Sequence, residues 1–373
     1  MRLAIVRQRY TPYGGAERFV SLALDALRAQ GVAVDIIARN WQNEAEGIKC
    51  DPFYLGRTWR DWSFARCVQR LIASGRYDLV QSHERIPGCH IFRAGDGVHA
   101  TWLERSEKPW RLSPWHRYTL AAEDAMFRHP ALRAVICNSR MVAEDIARRW
   151  PGLTDKLHVI PNAVDTAHFH PGLRAEHRAA LRQKVGAGKT APVILYVGSG
   201  YERKGVATLI EALSRMTTRE AEAWIVGRDK DEARYRRLAE NLGVARRLRF
   251  FGAQAEVRPF YGAADVFCLP TLYDPLPNAA LEALACGLPV VTTTTCGAAE
   301  LIRPGENGAL CAAKDPAALA AALDALLARD LLAMRDAACA SVAALTPTAM
   351  AERLLALYRT LLAGGEAAPG RRL

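Results

Sequence analysis

Two carboxylates, Asp274 and Glu282, stand on either side of a turn rich in proline within residues 266–291. Asp274 falls in a loop that carries Pro270, Pro275 and Pro277, and Glu282 falls one turn inside a helix predicted from Asn278 to Gly287. A second group of charges, Arg203 and Lys204, follows the Gly-rich run Gly198-Ser199-Gly200. Cations beside a helix N-terminus suit a diphosphate, because backbone N–H groups and the positive dipole end add to the side-chain charge. The helix that opens at Asn278 offers a second such end, with the amides of Asn278, Ala279 and Ala280 as candidate donors. A capping turn and a solvated helix acid would account for Asp274 and Glu282 taken singly, and a solvated turn for Arg203 and Lys204. The loop's place between an apolar run and a helix favours the ligand reading. In the first half of the chain, Gly95-Asp96-Gly97 puts a carboxylate on a tight turn after a strand. His83 and His99 are its polar competitors, and Asp96 ranks above them. Gly14-Gly15, between a first strand and a first helix, lets backbone approach a ligand, although turn chemistry explains the pair equally well.

These residues need sheets to hold them. Residues 2–6 and 32–38 read as strands around a helix over 16–30, which is a βαβ opening. Strands follow at 77–81, 91–93, 134–138 and 157–160. Residues 168–172 read as a linker, and the pattern restarts with the apolar run 193–197 and strands at 223–226, 248–251, 266–269 and 290–291. The prediction is an α/β protein of two Rossmann-like, doubly wound domains with the site in the cleft they face across. Residues 1–170 form one and 171–348 the other; a final helix, about 350–363, packs back on the first, and 364–373 form a flexible tail.

The chain has 373 residues, half of them hydrophobic, so it can bury two cores. No apolar run approaches the length of a membrane span, and the start, Met1 to Val6, is too short for a signal segment, so a cytoplasmic location is expected. The nine cysteines show no paired spacing and read as reduced, with no metal site. The formal charge of +11 admits nucleic acid, an anionic membrane or phosphorylated substrates as partners. No nucleic-acid-binding motif accompanies it, which sets that class aside. Two basic stretches interleave with tryptophan. Residues 54–76 combine Arg57, Arg60, Arg66 and Arg70 with Trp59, Trp62 and Phe64 at helical spacing. Such a helix can lie on an anionic bilayer, or be a surface helix whose aromatics face the core. Residues 102–117, with Lys108, Trp110, Arg111 and Trp115, read as a loop because of Pro109 and Pro114. Arg57, Arg60, Lys108 and Arg111 are the candidate contacts to an anionic acceptor or membrane.

Arg203-Lys204-Gly205 resembles the R-K-G loop of retaining GT-B glycosyltransferases of family four, the group 1 transferases. Asp274 to Glu282, followed by Ala-Cys-Gly-Leu-Pro-Val-Val, resembles their E-x7-E element. Gly14-Gly15-Ala16-Glu17 and Pro161-Asn162-Ala163-Val164-Asp165 are similar to two further motifs in the same order. Within the family, residues 7–15 and 199–205 are similar to the lipopolysaccharide core glucosyltransferase I type. The resemblance implies a retaining, metal-independent hexosyltransferase that uses no cofactor beyond a nucleotide-sugar co-substrate, UDP-glucose first. Its acceptor would be a lipopolysaccharide inner core or another phosphorylated, lipid-linked glycan at the inner face of the cytoplasmic membrane. Mannose or GlcNAc donors and a UDP-GlcNAc epimerase of the same shape are the alternatives. It also implies roles: Gly14, Gly15 and Gly198 beside the donor phosphates, Arg203 and Lys204 on the leaving diphosphate, Glu282 on the ribose, Asp274 near the sugar, and Asp96 where many members carry a histidine. Asp274 in place of Glu, Leu276-Pro277 in place of Phe-Gly and Ala163 in place of Gly depart from the pattern.

Overall fold

The computed structural model describes residues 2–10, 31–41, 47–106, 109–188 and 190–363. Gly14, Gly15, the helix expected over 16–30, Lys108 and the tail 364–373 lie outside the described residues. The chain divides into two compact units, Met1–Asn162 with Pro347–Leu373, and Ala163–Thr346.

In the first unit the described strands are β1 (Arg2–Val6), β2 (Arg9–Tyr10), β3 (Ala33–Ala38), β4 (Asn40–Trp41), β5 (Gly47–Lys49), β6 (Leu79–Ser82), β7 (Ile91–Arg93), β8 (Ala134–Cys137) and β9 (Leu157–Val159). β2 and β4 pair with each other. The others form a parallel sheet in the order β5-β3-β1-β6-β7-β8-β9. Leu79 to Ser82 and Ala134 to Cys137 are buried throughout, as expected of strands covered on both faces. The order reverses between β1 and β6. At such a switch point the connections leave in opposite directions and open a crevice at the carboxyl ends.

The second unit repeats the plan with β10 (Val193–Val197), β11 (Glu222–Val226), β12 (Leu248–Gly252), β13 (Val266–Leu269), β14 (Val290–Thr293) and β15 (Gly308–Cys311), in the parallel order β12-β11-β10-β13-β14-β15. Its switch point lies between β10 and β13, the strands that precede the Gly198 loop and the Asp274 loop. Asp265 anchors their start. Its carboxylate accepts from the Val193 N–H at 2.9 Å and pairs with Arg174, Arg178 and Arg182 at 3.3, 2.8 and 2.6 Å. Those arginines share one face of the helix Leu173–Lys184.

Three expectations change. The segment 168–172 read as a linker belongs to the second unit: its Phe169 sits in the core, as does Val164 just before it, whose N–H donates to the Leu345 carbonyl at 2.8 Å. Residues 102–117 are not a loop, because the helices His99–Arg105 and Pro114–Phe127 occupy half of them and the 3₁₀ turn Trp110–Leu112 lies between. Pro114 takes the first helical position, where its missing N–H loses no bond, and Ser113 caps it. Finally, Cys50 and Cys67 form a disulfide between a residue just after β5 and the helix Gly56–Ala73, with Cα atoms 6.1 Å apart. Their separation of 17 residues carries no local mark in the sequence.

Candidate functional site

In the second unit Arg203, Lys204 and Asp274 come together. Arg203 Nη1 donates to Asp274 Oδ2 at 3.0 Å and to the Tyr273 carbonyl at 3.0 Å. Lys204 Nζ lies 3.6 Å from the same carboxylate oxygen. The Asp274 side chain is 8% exposed and that of Lys204 14%, whereas Arg203 keeps 36%. The backbone fixes this cluster. The Arg203 carbonyl accepts from the Leu272 N–H at 2.8 Å and the Thr271 hydroxyl at 2.9 Å. Gly205 has φ +76°, and a Cβ there would lie 1.9 Å from the Pro270 carbonyl oxygen. Only glycine permits that approach between the two loops. Gly198, at φ +154°, leaves room for the Lys204 chain to cross it; a Cβ would meet Lys204 Nζ at 2.9 Å. Gly198 therefore acts on the cluster through Lys204.

Glu282 lies in the helix Asn278–Ala285 and is buried. Its Oε2 accepts from the Tyr261 hydroxyl at 2.8 Å. The helix begins after Pro277 with no side-chain cap. Asn278 and Ala279 open its first turn, while the Ala280 N–H is engaged with the Pro277 carbonyl at 3.1 Å. Ala280 therefore supplies its donor to the turn itself. Two carboxylates flank the same turn, but each has its own protein partner: cations for Asp274, a phenol for Glu282.

In the first unit Asp96 is exposed on a turn in which the Gly97 N–H donates to the Ala94 carbonyl at 3.1 Å. Two residues passed over in the sequence hold that turn. Arg85 Nη2 donates to the Gly97 carbonyl at 3.0 Å, and its Nε donates to Glu123 Oε1 at 2.7 Å. Glu123 is 1% exposed and also accepts from the His99 N–H at 2.8 Å and the Ala100 N–H at 3.2 Å. It thus caps the helix His99–Arg105 from a neighbouring helix. An acid inside the apolar run Leu120 to Phe127 was the available signal. His99 is buried and its Nε2 lies 3.0 Å from His116 Nδ1. Burial, with Arg85, His116 and Arg57 nearby, pulls its pKa down to about 3. His83 is buried as well; burial and the Arg93 and Arg7 cations hold it well below the usual histidine range.

The two basic, Trp-bearing stretches meet. Arg57 lies over the Trp115 ring, 3.4 Å from its centroid. Trp115 Nε1 donates to Asp61 Oδ2 at 2.6 Å, while Arg60 and Gln8 donate to Oδ1 at 2.8 and 3.0 Å. Burial alone would raise the Asp61 carboxyl, but these three donors hold it below its usual range. Phe64 and Val68 of the helix Gly56–Ala73 face the core, whereas Trp59 and Trp62 are exposed at 42% and 46%, with Phe53 and Leu55 beside them in sequence at 73% and 66%. One aromatic of this helix, Phe64, packs inward, and two, Trp59 and Trp62, do not. Arg111 stands by the Trp110 ring at 5.7 Å. Among the described residues no helix is long and apolar enough to cross a membrane.

Residues 13–168 match the family model for Glycosyltransferase Family 4, and residues 191–329 that for Glycosyl transferases group 1. The lipopolysaccharide core biosynthesis glycosyltransferase LpsE of Rhizobium meliloti is 34% identical over 328 residues, covering 86% of this chain and 88% of that protein. The lipopolysaccharide glucosyltransferase WaaG of Escherichia coli is 26% identical over 321 residues, covering 84% and 85%. The crystal structure of WaaG superposes with a TM-score of 0.81 at 24% identity, over 95% of this chain and 99% of that one, which identifies the GT-B fold. Since a relative at 34% identity spans most of both chains and a family model falls on each run of strands, the chain belongs to the group 1 glycosyltransferases of family 4.

Proposed function

We propose that this glycosyltransferase moves glucose from UDP-glucose, with retention and without a metal, onto a lipopolysaccharide inner core or a similar phosphorylated, lipid-linked glycan. The observation that carries the reading is the convergence of Arg203 and Lys204 on one buried carboxylate at the second unit's switch point. Two cations against one anion leave a net positive charge where a diphosphate departs. As the anomeric bond breaks, negative charge grows on the leaving oxygen, and fixed cations favour that state over the ground state. Glu282, oriented by Tyr261, takes the ribose hydroxyls. Asp274 takes the sugar hydroxyls once its cations engage the diphosphate, and Asp96 is the polar group the first unit offers to the reaction. The names of LpsE and WaaG support the choice of acceptor, and that of WaaG the choice of sugar. The protein works at the inner face of the cytoplasmic membrane, where exposed Phe53, Leu55, Trp59 and Trp62 beside Arg57 and Arg66 suit an anionic bilayer.

A thermal-shift series of UDP- and GDP-sugars, followed by UDP release with and without core-truncated lipopolysaccharide, tests the reading. UDP-glucose should stabilise most, and UDP should appear only with the acceptor. Stronger stabilisation by GDP-mannose, or UDP release that ignores the acceptor, overturns it. Anionic vesicles should retain the protein but release the variant in which Arg57, Arg60 and Arg66 become Glu; equal retention sinks the membrane role.

A further inference from the structure

The Asp96 carboxylate is exposed, but the backbone on either side of it is held. Before it, the Ala94 N–H donates to the Ile136 carbonyl of β8 at 2.9 Å, and the Gly95 carbonyl accepts from Asn138 Nδ2 at 3.3 Å. After it, the Gly97 carbonyl accepts from Arg85 Nη2 at 3.0 Å. The His99 and Ala100 N–H groups open a helix and so lack intrahelical acceptors. Both donate to Glu123, at 2.8 and 3.2 Å. Arg85 Nε donates to Glu123 Oε1 at 2.7 Å and closes the circuit. Arg85 comes from the segment after β6 and Glu123 from the helix Pro114–Phe127, so two distant elements meet on the turn that follows β7.

The cost of this arrangement argues for its use. The Glu123 side chain is 1% exposed and that of Arg85 16%. Burial works against the Arg85 charge, while Glu123 first, then Asp96 and Glu84, hold its pKa above the usual value. Desolvating two charges is expensive, and an apolar pair of similar volume often stabilises a fold as well or better. An apolar pair cannot grip a carbonyl and two amides at once. The guanidinium can, because its planar fork offers one N–H to the backbone and another to the carboxylate. We infer that Arg85 and Glu123 are positioning residues that hold Asp96 in place for the transfer of the sugar. The inference rests on the part proposed above for Asp96 in the reaction; the clamp on the turn does not.

Arg85→Lys keeps the charge beside Glu123 but loses the fork, so one ammonium must choose between the carboxylate and the Gly97 carbonyl. In the full-length enzyme, with UDP-glucose and core-truncated lipopolysaccharide, kcat should fall about tenfold to a hundredfold, the effect of a small displacement of a reacting group, while the Kd for UDP stays within about twofold. A kcat within about twofold of wild type, or an equal loss of UDP affinity, overturns the inference. A double-mutant cycle with Asp96→Asn separates positioning from a general loss of structure. Single-turnover transfer of radiolabelled glucose reads the slow variants. Added to Asp96→Asn, Arg85→Lys should cost less than about threefold; a full multiplication of the two losses shows that the pair acts on something other than Asp96 and overturns the inference. Asp96→Asn at the wild-type rate removes Asp96 from the reaction and the inference with it. Native-state hydrogen exchange at the amides of residues 97–100 should run roughly fivefold or more faster in Arg85→Lys, the worth of one hydrogen bond. Equal exchange overturns the clamp. If wild type turns over no UDP-glucose, the proposed function fails while exchange still decides whether the pair holds the turn.

Discussion

Replacing Lys204 by alanine isolates the charge assigned to the leaving group. Its Nζ lies 3.6 Å from Asp274 Oδ2, and Arg203 Nη1 lies 3.0 Å from the same atom. The variant therefore keeps one cation on the carboxylate and strands no buried charge. Stability should change by less than about 1 kcal/mol, as for removal of one partly screened ion pair. Turnover should change far more. A unit charge at about 4 Å from a second, at an effective dielectric near 20, is worth about 4 kcal/mol. Loss of one preorganised group facing a developing oxyanion costs about 2.7–4 kcal/mol, or roughly a hundredfold to a thousandfold in turnover. Coupled detection of UDP gives kcat and KM, calorimetry gives the Kd for UDP, and urea unfolding gives stability. The expected result is kcat/KM lower by about two to three orders of magnitude, weaker UDP binding and an unchanged urea midpoint. A variant within threefold of wild type in kcat/KM would show that the diphosphate does not sit at Lys204. A large loss of stability would show that the lysine is structural.

Gly205→Ala should destabilise by about 2–4 kcal/mol, from left-handed strain plus the clash with the Pro270 carbonyl; a urea midpoint equal to wild type would refute the close approach. Tyr261→Phe removes a 2.8 Å hydrogen bond to Glu282. Bonds to charged groups are worth about 1.5–3 kcal/mol, so UDP should bind roughly tenfold or more weakly, and equal Kd values by calorimetry would remove Glu282 from the ribose. The His99 ring titrates near 3 when folded, against about 6.5 unfolded. Between those values the unfolded chain binds more protons, so this contribution is complete above the unfolded value and fades as pH falls through the window. His99→Gln should flatten the acid limb of stability by up to about 1.4 kcal/mol per pH unit; an unaltered limb from urea unfolding at several pH values would show the ring is solvated.

The strand–loop–helix around Asp274 and Glu282 was legible because apolar runs, proline and a closing glycine are local signals. Arg203 and Lys204 were legible for the same reason. Their joint grip on Asp274 was not, since it depends on the Gly205 backbone passing under the Pro270 carbonyl. Tyr261 was hidden because a phenol in an apolar run reads as core, and its hydroxyl declares a function only when Glu282 stands opposite. Arg85 and Glu123 are 38 residues apart, and no spacing rule joins them. Pro114 misled by type: proline reads as a breaker unless the capping serine before it marks a helix start. The Cys50–Cys67 bond and the core positions of Val164 and Phe169 are tertiary facts without a local pattern.

The return of the last helix to the first unit has a consequence for synthesis on the ribosome. The second unit, Ala163–Thr346, is one continuous stretch and can close its core as soon as it emerges. The first unit cannot, because its helix Pro347–Ala363 follows the second unit in the chain. At about 5–20 residues per second, the nascent first unit waits on the order of ten seconds or more for its final helix. Through that interval the buried Gln81 of β6 lacks the Tyr358 hydroxyl that donates to its Oε1 at 2.5 Å in the finished unit. The first unit to be translated is thus the last to be finished, and a chain truncated at Thr346 would carry a complete second unit and an open first one.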